Sequence, residues 1–337
     1  MAGRVGEGGD RLLYALSVAA AVGAALLVVV GGLVPAVIAG LLSRELALRM
    51  TPLFRGPVVV TRGLSMATVI LGLLLLMWLV GSSLYLGAHQ LVNGGLLRQV
   101  EHILLDLNNT APAWLVGFLP GNAADLMRDA EDYLRSHASV FTEVSSGVLH
   151  TTVAIILGSV IGALAYVIPV TPVSPFVINL HQRASLLAES FRRVAVAQLQ
   201  IATINTMLTG VYLLVLLPLA DIHLPLVKSM LAATFMLSLI PIVGNTLSNF
   251  IIIGVSLTHS VLLAGVSLVF LVFIHTLEHF LSAHLLGGRV NAKAWEVLSV
   301  MLLGQALAGG AGLVIAPIFY AWVRLEMARA GLIKLDL

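Results

Sequence analysis

The stretch LVFIHTLEHFLSAHL, from Leu271 to Leu285, sets His275, Glu278 and His279 in apolar sequence long enough to enter a bilayer. On a helix, positions i, i+3 and i+4 share one face, so a carboxylate and two imidazoles converge. A carboxylate at the centre of a spanning helix costs roughly 2.5 to 3.5 kcal/mol on insertion scales, and for that reason it faces a bundle interior or a water-filled path. Histidine titrates near neutral pH, as a proton relay requires. Two chemistries fit these residues. In one, Glu278 binds or exchanges a proton or cation during passage, with His279 and His275 beside it. In the other, HTLEH is the H-x-x-E-H pattern of inverted zinc peptidases, with two histidines on the metal and the glutamate as base. That second reading needs a third protein ligand, and only His284 follows nearby. A structural reading also stands: Glu278 anchored by His279 or Arg289, with the histidines serving packing. The first chemistry is preferred, so the three residues are assigned to substrate or ion binding, with no metal, no cofactor and no enzymatic activity.

Whatever holds these residues must be a membrane scaffold. Hydrophobic residues make up 59% of the 337 positions and charged residues only 10%, against the roughly 25% charged residues of ordinary soluble domains. Spanning segments of this kind are helical, because every backbone polar group must be satisfied within the segment. The expected class is all-α and polytopic. A formal net charge of +2 and the absence of a basic cluster interleaved with aromatics exclude a nucleic-acid partner. With no cysteine there is no disulfide framework and no thiol nucleophile. No Walker A pattern is present, which excludes ATP-driven transport by this chain alone.

About 20 apolar residues span the hydrocarbon core. Leu12 to Val30 is the first such run; it is longer than a signal-peptide core and reads as an uncleaved span. Leu33 to Leu42 follows across Gly31-Gly32, and Leu64 to Ala88, Val148 to Ile168, Val196 to Leu217 and Val261 to Ala283 are further spans. With 226–257 and 297–323 this gives about eight membrane segments. Three regions follow: membrane spans over 1–88, an amphipathic extramembrane segment over 89–147, and a core over 148–337.

Basic residues orient the chain, since short cytoplasmic loops are rich in Lys and Arg. Arg44, Arg49, Arg55 and Arg62, then Arg183, Arg192 and Arg193, then Arg289 and Lys293, are all expected inside, and the acidic segment 89–147 outside. Arg324, Arg329 and Lys334 then pose a parity problem, because both flanks of 297–323 are basic. A re-entrant hairpin broken within Gly304 to Gly312 solves it, matched by another in 226–257 broken at Pro241, Gly244 and Asn245. Broken helices at membrane depth line cavities, and paired breaks point to a transporter site. Asn245, Thr246 and Asn249 at the first break, and Asn205 in the polar run QLQIATINTMLTG, are candidates to bind a substrate or ion. Helix-to-helix hydrogen bonding is the plainer role for such amides. Gly309, Gly310 and Gly312 mark the second break, as turn or close-approach residues.

From Arg183 to Leu325 the order of features resembles the AI-2E family of bacterial transporters, the PerM-like permeases. The likeness rests on AQLQIATINTMLTGVYLLVL, the IPIVGNTLSN break, LEHFLSAHLLGGRVNAKAWEVLSVMLLG and the closing GGAGLVIAPIFYAWVRLE. This chain carries Asn245 where the family tends to Pro, and His279 where it usually has Asn or a similar polar residue. The resemblance implies a secondary transporter, a permease or exporter of the bacterial cytoplasmic membrane, moving a small molecule or cation by alternating access with a proton or sodium gradient. It also implies a homo-oligomer within the lipid bilayer. A non-transporting membrane scaffold or regulator is the alternative from another class.

Overall fold

A computed structural model describes residues 3–92, 138–168, 171–224, 226–239, 243–290 and 292–334. Most of the 89–147 segment, and Pro241, lie outside them. Among the described residues every regular element is helical: α1 (Gly3–Val30), α2 (Val34–Met50), α3 (Val58–Val92), α4 (Ala138–Val167), α5 (Pro175–Val211), α6 (Val227–Ser238), α7 (Val243–His259), α8 (Val261–Val290) and α9 (Ala294–Arg329). Among the described residues five apolar stretches have membrane-spanning length: Leu12–Val30, Val58–Trp78, Leu149–Val167, Pro175–Leu219 and Trp295–Arg329. Val227–Ser238, Gly244–Leu257 and Leu262–Leu277 are apolar but shorter. The all-helical class read from composition is the one the described residues adopt, with apolar helices long enough to cross a membrane. The helix expected to begin at Val196 begins instead at Pro175. Ser174 accepts from the Val177 amide at 3.3 Å, Pro175 occupies the first turn, and Glu189 pairs with Arg192 and Arg193 at 2.6 and 2.9 Å. Capping and i, i+3 or i, i+4 ion pairs carry a helix where apolar count fails.

The chain forms two compact units. The first comprises Met1–Leu74, Thr151–Ile201 and His279–Leu337. Its α1 is closed by Gly32, two residues past its end, whose φ of 65° permits the left-handed closure in which the Leu33 amide reaches the Val28 carbonyl at 2.9 Å. Ala36 and Gly40 on α2 meet Gly158 and Gly162 on α4, where a Cβ at either α4 glycine would collide with the opposing backbone carbonyl. This is small-xxx-small packing, in which missing side chains let backbones touch. Arg183 of α5 is buried, pairs with Glu326 of α9 at 2.8 Å, bonds Ser17 at 3.3 Å and lies 4.8 Å from the Tyr14 ring centre. Trp322 donates to the Arg183 carbonyl at 3.1 Å. A buried guanidinium is tolerated only when so engaged.

Within the same unit α9 is a hairpin and not a rod. Ala308 and Gly309 leave helical geometry, and Gly309 takes φ 56°, ψ −142°, a conformation open to glycine. Gly304 and Gly312 meet backbone to backbone on either side of that reversal. Farther out, Glu296 accepts from Tyr320 at 2.7 Å and from Arg324 at 3.0 Å. In a straight helix Glu296 and Tyr320 would lie about 36 Å apart at 1.5 Å per residue. The break read at Gly304 to Gly312 is therefore a chain reversal, with both flanks of α9 at one end.

The second unit comprises Leu75–His150 and Ala202–Glu278. Its core gathers Tyr212, Leu213 and Leu217 from the end of α5 and its continuation, Met230 from α6, Ile252 from α7 and Leu263 and Leu271 from α8. The continuation of α5 widens into a π-helical turn over Tyr212–Leu216. Pro218 explains it, since proline cannot donate to the Leu214 carbonyl and its ring crowds that group. α6 and α7 are antiparallel: Gly244 packs on the Leu237 carbonyl, Ser238 bonds Asn245, and farther from the turn Thr234 meets Ser248 at 2.6 Å.

Candidate functional site

Helical periodicity builds a polar stripe along the buried seam of α6 and α7. On α7, Asn245, Ser248, Ile252 and Ser256 are buried, whereas Thr246, Leu247 and Phe250 are exposed. Steps of three or four residues make that one face. On α6, Thr234 and Ser238 stand one turn apart and both are buried. The third wall is α5, where Asn205 and Thr209 are buried one turn apart.

These residues form a network in rungs. The Asn205 side-chain amide donates to the Ser238 hydroxyl and to the Asn245 amide oxygen, each at 2.9 Å. Ser238 also donates to Asn245, so one residue from each of three helices meets at a single point. One turn away Thr234 and Ser248 form the second rung, and Thr234 also returns a bond to the Met230 carbonyl at 2.8 Å. A third rung joins the Tyr212 hydroxyl to Ser267 of α8 at 2.7 Å and Ser267 to Ser256 of α7 at 2.8 Å. Phe270 stacks on the Tyr212 ring at 4.2 Å, fixing the phenol that feeds this rung.

The chemistry follows from the groups. Both N–H bonds of Asn205 are engaged, which leaves its amide oxygen as an acceptor. The rungs are neutral and made of hydroxyls and carboxamides, which hydrogen-bond a polar solute or replace water around a cation. Away from water such groups must be paired, since each one left unsatisfied costs about 1 to 3 kcal/mol. The ladder therefore holds three helices in register at the break.

Among the residues expected to bind substrate, Asn205 and Asn245 are brought together. Asn249 is half-buried and Thr246 is exposed, both off the deepest line of the stripe. Gly244 is buried at the turn, Gly309 is the reversal point of α9, Gly312 its close-approach residue, and Gly310 is exposed beside it. His275 is half-buried on α8, next to buried Ile274. Glu278 and His279 fall on α8, at register positions one turn beyond Ile274. Their side chains lie outside the described residues. Sequence reasoning missed Ser238, Thr234, Ser256 and Ser267 as partners. The i, i+4 spacing of Thr234 and Ser238 just before the Ile-Pro break was the available signal.

No family model, curated protein or solved structure matches this chain.

Proposed function

We propose that the protein is a secondary transporter of the AI-2E type, a permease or exporter that moves a small molecule or cation across the bacterial cytoplasmic membrane using a proton or sodium gradient. One observation carries this reading: Asn205 on a long continuous helix is bonded to both arms of a broken helical pair, inside a chain whose helices expose apolar side chains. Polar side chains at membrane depth are costly and cluster along solute and ion paths. The arm α6 has 12 residues and so reaches about 18 Å, short of the roughly 30 Å core. α6 and α7 thus suit a re-entrant hairpin whose tip sits at the Asn205, Ser238 and Asn245 rung. The reversal at Gly309 gives α9 the same character, and paired breaks of this kind support transport over passive anchoring.

In the proposed cycle, the neutral rung at the break takes the solute or the dehydrated cation, and the α6–α7 tip opens it to one face and then the other. Glu278 supplies charge coupling, gaining and losing a proton as the site changes exposure. Full-length protein in liposomes under imposed sodium and proton gradients, screened with monovalent cations and small hydroxylated signalling molecules, tests the reading. Asn245→Ala is expected to lower flux about tenfold or more, which is about 1.4 kcal/mol, and Glu278→Gln to abolish the proton dependence. Wild-type flux in Asn245→Ala would remove the ladder from transport.

A further inference from the structure

The α9 hairpin carries a second feature, independent of the polar ladder. Along the first arm Val300, Leu303 and Leu307 recur at steps of three or four residues. Along the second arm Ile315, Phe319 and Val323 do the same, and together they line an apolar cavity of about 310 Å³ open on one side. Gly304 and Gly312 line it near the reversal, and Val29 of α1 borders it. From Gly312 to Val323 the groove is about 16 Å long at 1.5 Å per residue. Half of a roughly 30 Å hydrocarbon core is about 15 Å. The groove has the length of one leaflet.

Its end away from the reversal has a different chemistry. Tyr320 lines the cavity there and, with Arg324 one turn beyond, meets Glu296 at the start of the first arm. Trp295 is 63% exposed and Lys293 is exposed beside it. Tryptophan and tyrosine concentrate at the headgroup level of membranes. Glu296 Oε2 is already shared by Tyr320, Arg324 and the Lys293 amide. Arg324 Nε is buried and has no hydrogen-bond partner among the described residues. Two cations and one committed carboxylate leave the mouth positive.

We infer that this groove seats one acyl chain of an anionic phospholipid, with the headgroup phosphate at Arg324 and Lys293 and the tail running toward Gly309. An apolar trough of one leaflet's depth, ending in aromatic and basic residues, matches that amphiphile in length, polarity and charge. A zwitterionic lipid of equal chain length would fill the trough while gaining less at the mouth.

Native mass spectrometry of the full-length protein, titrated with phosphatidylglycerol or phosphatidylethanolamine of identical acyl chains, tests the assignment. Wild-type protein is expected to retain phosphatidylglycerol about fivefold better, the preference of roughly one basic contact. Arg324→Gln should erase that preference. Because this change also removes an ion pair to Glu296, Leu307→Trp provides a second test. Leu307 is 80% exposed on the groove wall, so the indole fills the trough and leaves the ion pair alone. Leu307→Trp should lower retention of both lipids. Equal retention of the two lipids by wild type, or loss in only one variant or in neither, overturns the assignment. A change in oligomer mass in Leu307→Trp with lipid retention intact would give the groove to a second copy of the chain and overturn it too.

Discussion

The α6–α7 pair and the α9 hairpin are both helical reversals, closed by different means. In α6–α7 the arms are joined by neutral side chains: Ser238 to Asn245, Thr234 to Ser248, with Asn205 bridging from α5. In α9 the arms meet through bare backbone at Gly304 and Gly312 and are clamped at the open end by Glu296, Tyr320 and Arg324. Glycine contact and a terminal ion pair suffice to close a hairpin. The buried amides of α6–α7 therefore do more than closure requires, and this polar excess inside an apolar protein is what the proposed transport reading rests on.

The largest expected effect breaks the closure itself. Gly312→Leu drives a side chain into the Gly304 backbone, and overpacking of this kind costs about 3 kcal/mol or more; loss of monodisperse protein on size-exclusion chromatography is the readout. Next comes Asn205→Leu, which removes the donors to Ser238 and Asn245 and should destabilise the protein by about 1 to 3 kcal/mol. The triple change Asn205→Leu, Ser238→Ala, Asn245→Leu removes all three members of the rung together and should recover part of that stability in denaturant titration while flux stays lost. Recovery of both stability and flux would erase the distinction between the two hairpins. The smallest effect belongs to Ser267→Ala, which cuts the Tyr212 rung. Interhelical hydrogen bonds in membranes average about 0.6 kcal/mol and reach about 1.7, so only a small shift in thermal unfolding is expected.

Sequence patterns revealed some of this architecture and hid the rest. The apolar runs disclosed the helical membrane class, and the Gly-rich stretch GQALAGGAG disclosed the α9 reversal, because both signals are local. Asn205 and Asn245 could be singled out as polar residues in apolar surroundings. Their meeting could not, since it depends on how α5 lies against the break. Arg183 and Glu326 are 143 positions apart, and nothing local to either marks the other; Arg183 read as a loop charge until the extended α5 placed it among packed helices. The first 20 or so residues of α5 were passed over for the same reason. A hydropathy reading discounts charged residues, whereas Glu189 with Arg192 and Arg193 are what carry the helix there.

The widened turn at Tyr212–Leu216 has a bearing on how the chain tolerates insertions and deletions. A five-residue closure holds one more residue than an α-turn of the same rise, so the faces before and after it are out of phase by one position. Removing one residue from this turn together with Pro218→Ala would return the segment to a plain helix, leaving Asn205 and Leu217 on their present faces. The same deletion made at Ile204 would turn Asn205 by about 100° away from Ser238 and Asn245. The widened turn is therefore a permissive address for length variation, next to the rung fed by Tyr212.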